Sequence, residues 1–223
     1  MLWLLDVGSA VLRTGRLSGP PMPSPIRLKG MDVMDRKAVG THQRSGVPAV
    51  AGTIAHSVIA AMLTNGVVGP NYVDDADRRV RTLTAHLGAS LNAKRIRALA
   101  LTSVCKYISL LRPTSAEFIG AEVVLETGRA DLLWNLANGD VFIDELKTDR
   151  YLQEAAAVAQ ATRYVTAGVD YFGDGFAGVR IVSTTQERRS LLVAPDFTVS
   201  MLSQSPLAFK ALRTPVAVAE RTV

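Results

Sequence analysis

The chain of 223 residues contains a single cysteine, Cys105. One thiol cannot form a disulfide within the chain, a zinc site built from several thiolates or a four-cysteine iron–sulfur cluster. A disulfide framework and a cluster held by this chain alone are therefore excluded. We expect Cys105 to be a small core residue within a helix, and a reducing cytoplasm to be the natural setting of the protein.

Long apolar runs are also scarce. The opening Met1-Leu-Trp-Leu-Leu5 is apolar but short, and Asp6 interrupts it, so we expect no signal peptide. No stretch approaches the ~20 apolar residues that a membrane span requires, which predicts a protein without a membrane partner. The segment 13–25 is rich in glycine, proline and serine, and we interpret residues 1–50 as a partly irregular leader.

Neither sign of charge is strongly in excess. The 25 lysines and arginines against 20 acidic residues give a net charge of +5, which permits a polyanionic partner without requiring one. The sequence shows no internal repeat and no helicase motif, so any unwinding activity would belong to another chain. Its 48% hydrophobic content fits one well-packed domain, which we place at residues 51–223.

Apolar periodicity predicts a helical portion over residues 52–111. The first helix runs from Gly52 to Thr64, the second begins near Asp74, and the third covers Leu91 to Leu110 and stops before Pro113.

The period then changes to that of strands, which predicts a catalytic core over residues 117–194 and a C-terminal helix over residues 198–213. This order predicts an α/β fold with a central mixed sheet flanked by helices. Asn138-Gly139 favours a hairpin between the second and third strands. The predicted strands are 118–125, 130–136, 141–147, 180–184 and 191–194, and a helix over 151–167, closed by Gly168, lies between the third and fourth.

Two carboxylates and a lysine lie on the strands of this hairpin. Asp131 is on the first strand, and Glu145 and Lys147 end the second, where they share a face because strand side chains alternate. Paired carboxylates provide oxygen ligands for Mg²⁺ or Mn²⁺, and a lysine beside them can hold the attacking water or stabilise charge on a phosphate. The alternative is a surface ion pair of Glu145 with Lys147, which contributes little to stability.

These residues resemble the PD-(D/E)xK nuclease superfamily, and the flanking motifs resemble its RecB-like, CRISPR-associated-exonuclease-like branch without the iron–sulfur cysteines. That branch has a GxxxH helix, a glutamate before the first catalytic strand, GxxD, (D/E)xK and a helical QxxxY, in this order. The corresponding residues are Gly52-Thr-Ile-Ala-His56, Glu122, Gly128-Arg-Ala-Asp131, Glu145-Leu-Lys147 and Gln160-Ala-Thr-Arg-Tyr164.

The resemblance implies a restriction-endonuclease-like core and a role for each matched residue. Asp131, Glu145 and Lys147 would be catalytic, and no iron–sulfur cluster would be present. Mg²⁺ or Mn²⁺ would be held by His56, Asp131, Glu145 and the backbone carbonyl of Leu146. A lone histidine on a helix is more often structural, and only the GxxxH match argues for a ligand.

The remaining residues would support the site or contact DNA. The resemblance gives this role to Gln160 and Tyr164, which share a helical face because they are four residues apart. Glu122 would assist the site, although Glu126 on the same strand face is an alternative. The residues adjacent to matched positions, Arg129 and Arg163, are candidate phosphate contacts. The basic clusters on the second and third helices are either solvated faces or part of a DNA groove.

We therefore expect a metal-dependent DNA exonuclease that acts at ends or on single strands, in recombination, repair or the DNA processing of phages and mobile elements. The resemblance is compatible with a helicase or recombination partner and with an oligomer. Two alternatives remain: a restriction-type endonuclease on the same core, and a DNA-binding or assembly protein without turnover.

Overall fold

The computed structural model describes residues 46–148, 153–185 and 190–202, which belong to one compact unit, residues 42–223. Residues 1–45, most of the predicted leader, lie outside the described residues. The helices are α1 (Val47–Thr64), α2 (Tyr72–Leu83), α3 (Leu91–Lys106) and α4 (Glu154–Phe172). The strands are β1 (Ala116–Leu125), β2 (Gly128–Leu136), β3 (Val141–Lys147), β4 (Phe176–Ser183), β5 (Ser190–Val193) and β6 (Val199–Leu202).

The six strands form one mixed sheet in chain order. All neighbouring pairs are antiparallel except β3 with β4, which are parallel and are joined through α4. A parallel pair requires a crossover of this kind, because a tight turn can only reverse the chain. The predicted α/β fold with a mixed sheet and an N-terminal helical portion is therefore confirmed.

Each face of the sheet is covered by helices. Helix α1 packs against one face and shares one apolar core with α2, α3 and the buried sheet residues Leu132, Trp134 and Phe142. The helix α4 packs against the other face, where Ile143 and Val179 are buried. Alternation along β3 therefore sends Phe142 to one layer and Ile143 to the other, as the period of a strand requires.

Helix α1 begins earlier than the sequence analysis placed it. Pro48 lies in its first turn, where a missing N–H costs nothing, and this signal marks the true start. The helix has 18 residues with a mean hydropathy of 1.6, so it is long and apolar enough to cross a membrane, contrary to our expectation for the sequence. Its Ile54, Val58 and Ile59 are buried against the sheet layer and the neighbouring helices.

The predicted end of the fourth helix was wrong. Gly168 does not close α4, which continues to Phe172 and ends at Gly173 with a φ of 58°. At Gly168 an ideal Cβ would lie 2.3 Å from the Phe176 ring, so glycine is needed there for close packing of the helix on β4. The predicted start at Tyr151 lies outside the described residues.

The predicted C-terminal helix was also wrong at its start. Val199–Leu202 is the edge strand β6, paired with β5, and the rest of the predicted helix lies outside the described residues. A turn forms the hairpin: the Ala194 amide donates to the Thr198 carbonyl at 3.0 Å, and Phe197 has a φ of 64°. Pro195-Asp196 is the turn signal that the sequence analysis did not use.

Candidate active site

The site begins where β2 and β3 stop pairing. Backbone pairing between the two strands runs from Asn135–Val141 to Leu132–Asp144. Beyond this point the Leu146 amide donates to Asp131 Oδ2 at 2.8 Å. The Asp131 carboxylate therefore accepts the hydrogen bond that a backbone carbonyl of β2 would otherwise accept from Leu146. This contact keeps the end of β3 next to Asp131.

The Leu146 carbonyl faces the same strand edge as the Leu146 amide. In a strand, the N–H and C=O of one residue point to the same neighbour, and the Leu146 amide points to Asp131. The next residue confirms the alternation, because the Lys147 carbonyl accepts from the Thr184 amide at 2.9 Å on the β4 side. The backbone direction is thus compatible with the role predicted for Leu146.

Helix α1 places His56 next to Asp131 at the end of β3. An ideal Cβ at Gly52 would lie only 2.2 Å from Thr148 Oγ1, so glycine permits α1 to approach the end of β3. One turn later, His56 Nδ1 lies 3.2 Å from Asp131 Oδ1. His56 Nε2 is buried and has no hydrogen-bond partner. The GxxxH spacing therefore combines a close helix–strand contact with a histidine beside the carboxylate.

Glu145, Lys147 and Gln160 form a second group beside the first. Glu145 Oε1 accepts from Lys147 Nζ at 2.9 Å and from Gln160 Nε2 at 2.7 Å. Lys147 Nζ also donates to Gln160 Oε1 at 2.7 Å. The other carboxylate oxygen, Glu145 Oε2, is buried and has no hydrogen-bond partner. Glu145 with Lys147 is thus a largely buried pair in a network, not the surface pair of the alternative interpretation.

Tyr164 links α4 to β2 at the start of the GxxD motif. Its hydroxyl donates to the Arg129 carbonyl at 2.7 Å, and Gln160 Nε2 donates to the same hydroxyl at 3.3 Å. Gly128 has a φ of 148°, and a Cβ there would lie 3.2 Å from the Tyr164 ring. The structure therefore brings together Gln160 and Tyr164 as the helical spacing predicted.

Glu122 lies on the neighbouring strand, opposite Asp131. The register of β1 with β2 pairs Ala121 with Leu132 and Val123 with Ala130. Glu122 has a φ of 53°, which is strained for a residue with a side chain, and its Oε2 accepts from Arg129 Nη1 at 3.0 Å.

The choice between Glu122 and its alternative Glu126 stays a prediction. The Glu122 charge contributes to raising the pKa of His56, which places it in the electrostatic surroundings of the site. Arg163 does not join this group through a described contact. Its guanidinium donates to the Ala159 carbonyl of its own helix at 3.4 Å.

Two groups of the site, Glu145 and His56, have raised pKa values. Burial raises the pKa of Glu145 from 4.5 to about 7, the charge of Asp131 adds to this, and Lys147 and His56 oppose it. Burial lowers the pKa of His56, but the hydrogen bond and charge of Asp131, assisted by Glu145 and Glu122, outweigh it and raise the pKa overall. Such perturbed groups in one place are typical of functional sites.

The donor set fits a divalent cation in its chemistry. Imidazole nitrogen and carboxylate oxygen suit Mn²⁺ and, for the oxygens, Mg²⁺. Two of these donors, His56 Nε2 and Glu145 Oε2, are buried without a hydrogen-bond partner, as are Arg112 Nε and Trp134 Nε1. However, within residues 46–148, 153–185 and 190–202 no three His, Cys, Asp or Glu side chains stand together as a metal site.

The sequence analysis missed a buried polar cluster on the opposite face of β3. Arg180 forms two bonds of 2.6 Å with the Asp144 carboxylate, and the Tyr107 hydroxyl donates to Asp144 Oδ2 at 2.7 Å. Arg180 Nη2 also donates to the Leu111 carbonyl at 2.9 Å. An arginine within the apolar run Gly178-Val-Arg-Ile-Val182 was the available signal for this cluster.

The basic clusters of α2 and α3 are partly neutralised within the helical layer. Arg79 is paired with Asp75, and Arg81 Nε donates to Asp77 Oδ2 at 2.6 Å. Arg97 donates to the Thr84 side chain and backbone and to the Gly88 carbonyl. For Arg79, Arg81 and Arg97, these contacts support the interpretation as solvated or structural residues rather than as part of a DNA groove.

Comparison with known proteins gives little. No family model matches the chain and no curated protein matches it. A solved structure described as an EndoMS–dsDNA2 complex is 27% identical over 31% of this chain, with a TM-score of 0.26, and the match spans only 27% of the length of that chain. So loose an overlap does not bear on the fold or the function of this chain.

Proposed function

We propose that this protein is a divalent-metal-dependent deoxyribonuclease that hydrolyses phosphodiester bonds. The observation that carries the proposal is the convergence of four matched residues at the end of β3. His56 Nδ1 lies 3.2 Å from Asp131 Oδ1, and Glu145, whose pKa is raised by burial and by the Asp131 charge, accepts from Lys147 Nζ at 2.9 Å. Two carboxylates and an imidazole provide oxygen and nitrogen ligands of the kind that Mg²⁺ and Mn²⁺ take.

His56, Asp131, Glu145 and the Leu146 carbonyl would hold the cation. Bound there, it would supply Lewis-acid activation of water and of the phosphate. The nitrogen of His56 on the Asp131 side is Nδ1, so a cation held by both residues would take the place of their 3.2 Å contact. Within the described residues, no three such side chains stand together as a metal site.

Lys147 is the chain's own group for charge that develops on the phosphate. A lysine ammonium has three donors, and two of them bond Glu145 and Gln160. The third can donate to a phosphate oxygen or hold the attacking water, while the other two fix the direction of the ammonium. Gln160 would therefore position Lys147 and Glu145 relative to each other.

The substrate class and the mode of cleavage follow from the resemblance to RecB-like nucleases. That resemblance favours an exonuclease acting at DNA ends or on single strands, in recombination, repair or phage and mobile-element DNA processing, with a helicase partner on another chain. The restriction-type endonuclease on the same core is the second candidate, since the same catalytic residues would serve it.

The test compares linear with covalently closed circular DNA in Mn²⁺ or Mg²⁺. Loss of linear DNA with intact circles is the expected result. Discrete fragments from both would replace the exonuclease by the restriction-type enzyme. No cleavage with either metal, at protein concentrations that bind DNA, would contradict both and leave a DNA-binding protein.

A variant series ties the activity to the site. We expect Lys147→Ala to lower the cleavage rate by about 10²-fold or more, as for other donors that stabilise developing charge. Arg81→Ala, an exposed ion-paired residue on α2, is the matched control and should cleave like the wild type. If Lys147→Ala cleaved normally, the site assignment would be wrong even with nuclease activity present.

A further inference from the structure

Arg129 combines a fixed backbone with an exposed side chain at the edge of the site. The Tyr164 hydroxyl donates to its carbonyl at 2.7 Å, and the Tyr164 ring also lies beside the preceding residue, Gly128, where an ideal Cβ would be 3.2 Å from it. The Arg129 side chain itself is 66% exposed. A guanidinium whose backbone is anchored and whose side chain is exposed to solvent is suited to contact a ligand that arrives from solution.

The position of Arg129 relative to Asp131 is also defined. Arg129 is two residues before Asp131 on β2, and its guanidinium bonds Glu122, which the strand register places opposite Asp131. The guanidinium therefore contacts the side chain of the residue that the register places across from Asp131. A phosphate bound by Arg129 would be close to a phosphate at the catalytic residues.

The hold of Glu122 on Arg129 is weak. The contact is a single bond of 3.0 Å between side chains that are 43% and 66% exposed, and solvent-exposed ion pairs contribute little. A phosphate accepts two parallel bonds from one guanidinium, which are stronger than a single one. Exchange of Glu122 for a phosphate therefore costs little and adds a bond.

The backbone of Glu122 is strained, so the surrounding structure fixes the point from which its carboxylate reaches Arg129. A non-glycine residue at a φ of 53° persists only when the surrounding structure fixes it. In this place the carboxylate neutralises Arg129 and repels a phosphate that approaches without displacing it. Glu122 and a phosphate thus compete for the same guanidinium.

We propose that Arg129 binds a phosphate of the DNA strand next to the catalytic residues, and that Glu122 holds Arg129 until the phosphate displaces it. This inference rests on DNA being the substrate, as in the proposed function. It concerns binding and not hydrolysis, so it can be tested without a metal ion.

The experiment measures binding of a fluorescently labelled DNA duplex by anisotropy in EDTA, at salt concentrations from about 50 to 200 mM. Arg129→Ala should weaken binding and lower the slope of log K against log[salt] by about 1, the contribution of one phosphate contact. Arg81→Ala, equally exposed and ion-paired, should leave the slope unchanged. An unchanged slope in Arg129→Ala overturns the proposal.

A double-mutant cycle tests the competition itself. Glu122→Gln should tighten DNA binding in the wild-type background because Arg129 is released. In the Arg129→Ala background the same change should have a much smaller effect, since no guanidinium remains to release. Equal tightening in both backgrounds would mean simple charge repulsion and would contradict the exchange.

The outcomes are distinguishable from those of the cleavage assay. If linear DNA is cleaved while the Arg129→Ala slope is unchanged, the nuclease proposal stands and the role of Arg129 is wrong. If the slope falls as expected but no DNA is cleaved with either metal, Arg129 binds phosphate in a protein that is not a nuclease. Arg129 is exposed, so its alanine variant should fold, which circular dichroism verifies.

Discussion

Asp144 and Glu145 are neighbours on β3, they are both buried, and yet their surroundings differ completely. Asp144 accepts bonds from Arg180 and Tyr107, and both of its oxygens are used. Glu145 shares one oxygen with Lys147 and Gln160 and leaves the other without a partner. Alternation along the strand puts the two side chains on opposite faces of the sheet. Adjacent residues of the same chemical class therefore have different surroundings, one of them structural and the other belonging to the proposed catalytic site.

The difference extends to the charges of the partners. Burial lowers the pKa of Arg180, but Asp144 outweighs this and raises it, so the guanidinium stays charged beside its carboxylate. On the other face, burial and the nearby Asp131 raise the pKa of Glu145 to about 7. A stabilising site satisfies its charges, whereas a site that binds a ligand keeps some of them unsatisfied.

The largest expected effect is on the structural side. Arg180→Met leaves the Asp144 carboxylate buried without its ion-pair partner, and we expect the free energy of unfolding to fall by about 3–5 kcal/mol. Urea unfolding measures this. The double variant Asp144→Leu with Arg180→Met should recover part of the loss, because it removes the unpaired buried charge but leaves the Tyr107 hydroxyl without its acceptor and the Leu111 carbonyl without its donor. A loss under about 1 kcal/mol in the single variant would mean that the pair is not structural.

A smaller effect is expected at the contact that docks α1 on the catalytic side. In Gly52→Ala the new Cβ meets Thr148 Oγ1, and overpacking of this kind costs about 1–3 kcal/mol. Thr148→Ala removes the oxygen and should relieve most of the cost in the double variant. Additive losses in a double-mutant cycle by urea unfolding would show that the two residues do not touch.

The smallest stability change is expected at Glu145, and it has the opposite sign. Glu145→Gln keeps the shape and removes the buried charge, so at pH 8 and without metal the free energy of unfolding should rise by on the order of 1 kcal/mol. The pKa of Glu145 is about 7 in the folded protein against 4.5 for the ordinary side chain. The folded state therefore keeps the Glu145 proton up to a higher pH than the unfolded state does. As a result, the free energy of unfolding falls as pH rises from about 4.5 through 7.

The pH dependence provides the control for this variant. Below about pH 4.5 the wild-type carboxyl is protonated in both states, so the advantage of glutamine should vanish there. Unfolding curves of both proteins at pH 4 and pH 8 make the comparison. A destabilised Glu145→Gln at pH 8 would place Glu145 with Asp144 among the structural residues.

Much of the site could be predicted because local spacing determines it. The two-residue period sends Glu145 and Lys147 to one face of β3, and the four-residue spacing puts Gln160 and Tyr164 on one face of α4. The structure brings these four into one network. Helix and strand identities in the core followed from the same periods.

What could not be predicted depends on partners distant in the sequence or on very short segments. Asp144 finds Tyr107 in a turn of π-helix (Tyr107–Leu111) and Arg180 on a parallel strand, contacts that no local period encodes. The four residues of β6 are too few to distinguish strand from helix by period. Gly168 was read as a helix end, because the Phe176 ring that requires it belongs to another element.

The most direct test of the account is a calorimetric titration of the metal-free protein with Mn²⁺. We expect the wild type to bind Mn²⁺, Glu145→Gln and Asp131→Asn to bind at least about tenfold more weakly, and Asp77→Asn, which removes an exposed carboxylate of α2, to bind like the wild type. Equal binding by the wild type and Glu145→Gln, or no binding by the wild type, would contradict the proposal that these carboxylates hold a metal ion.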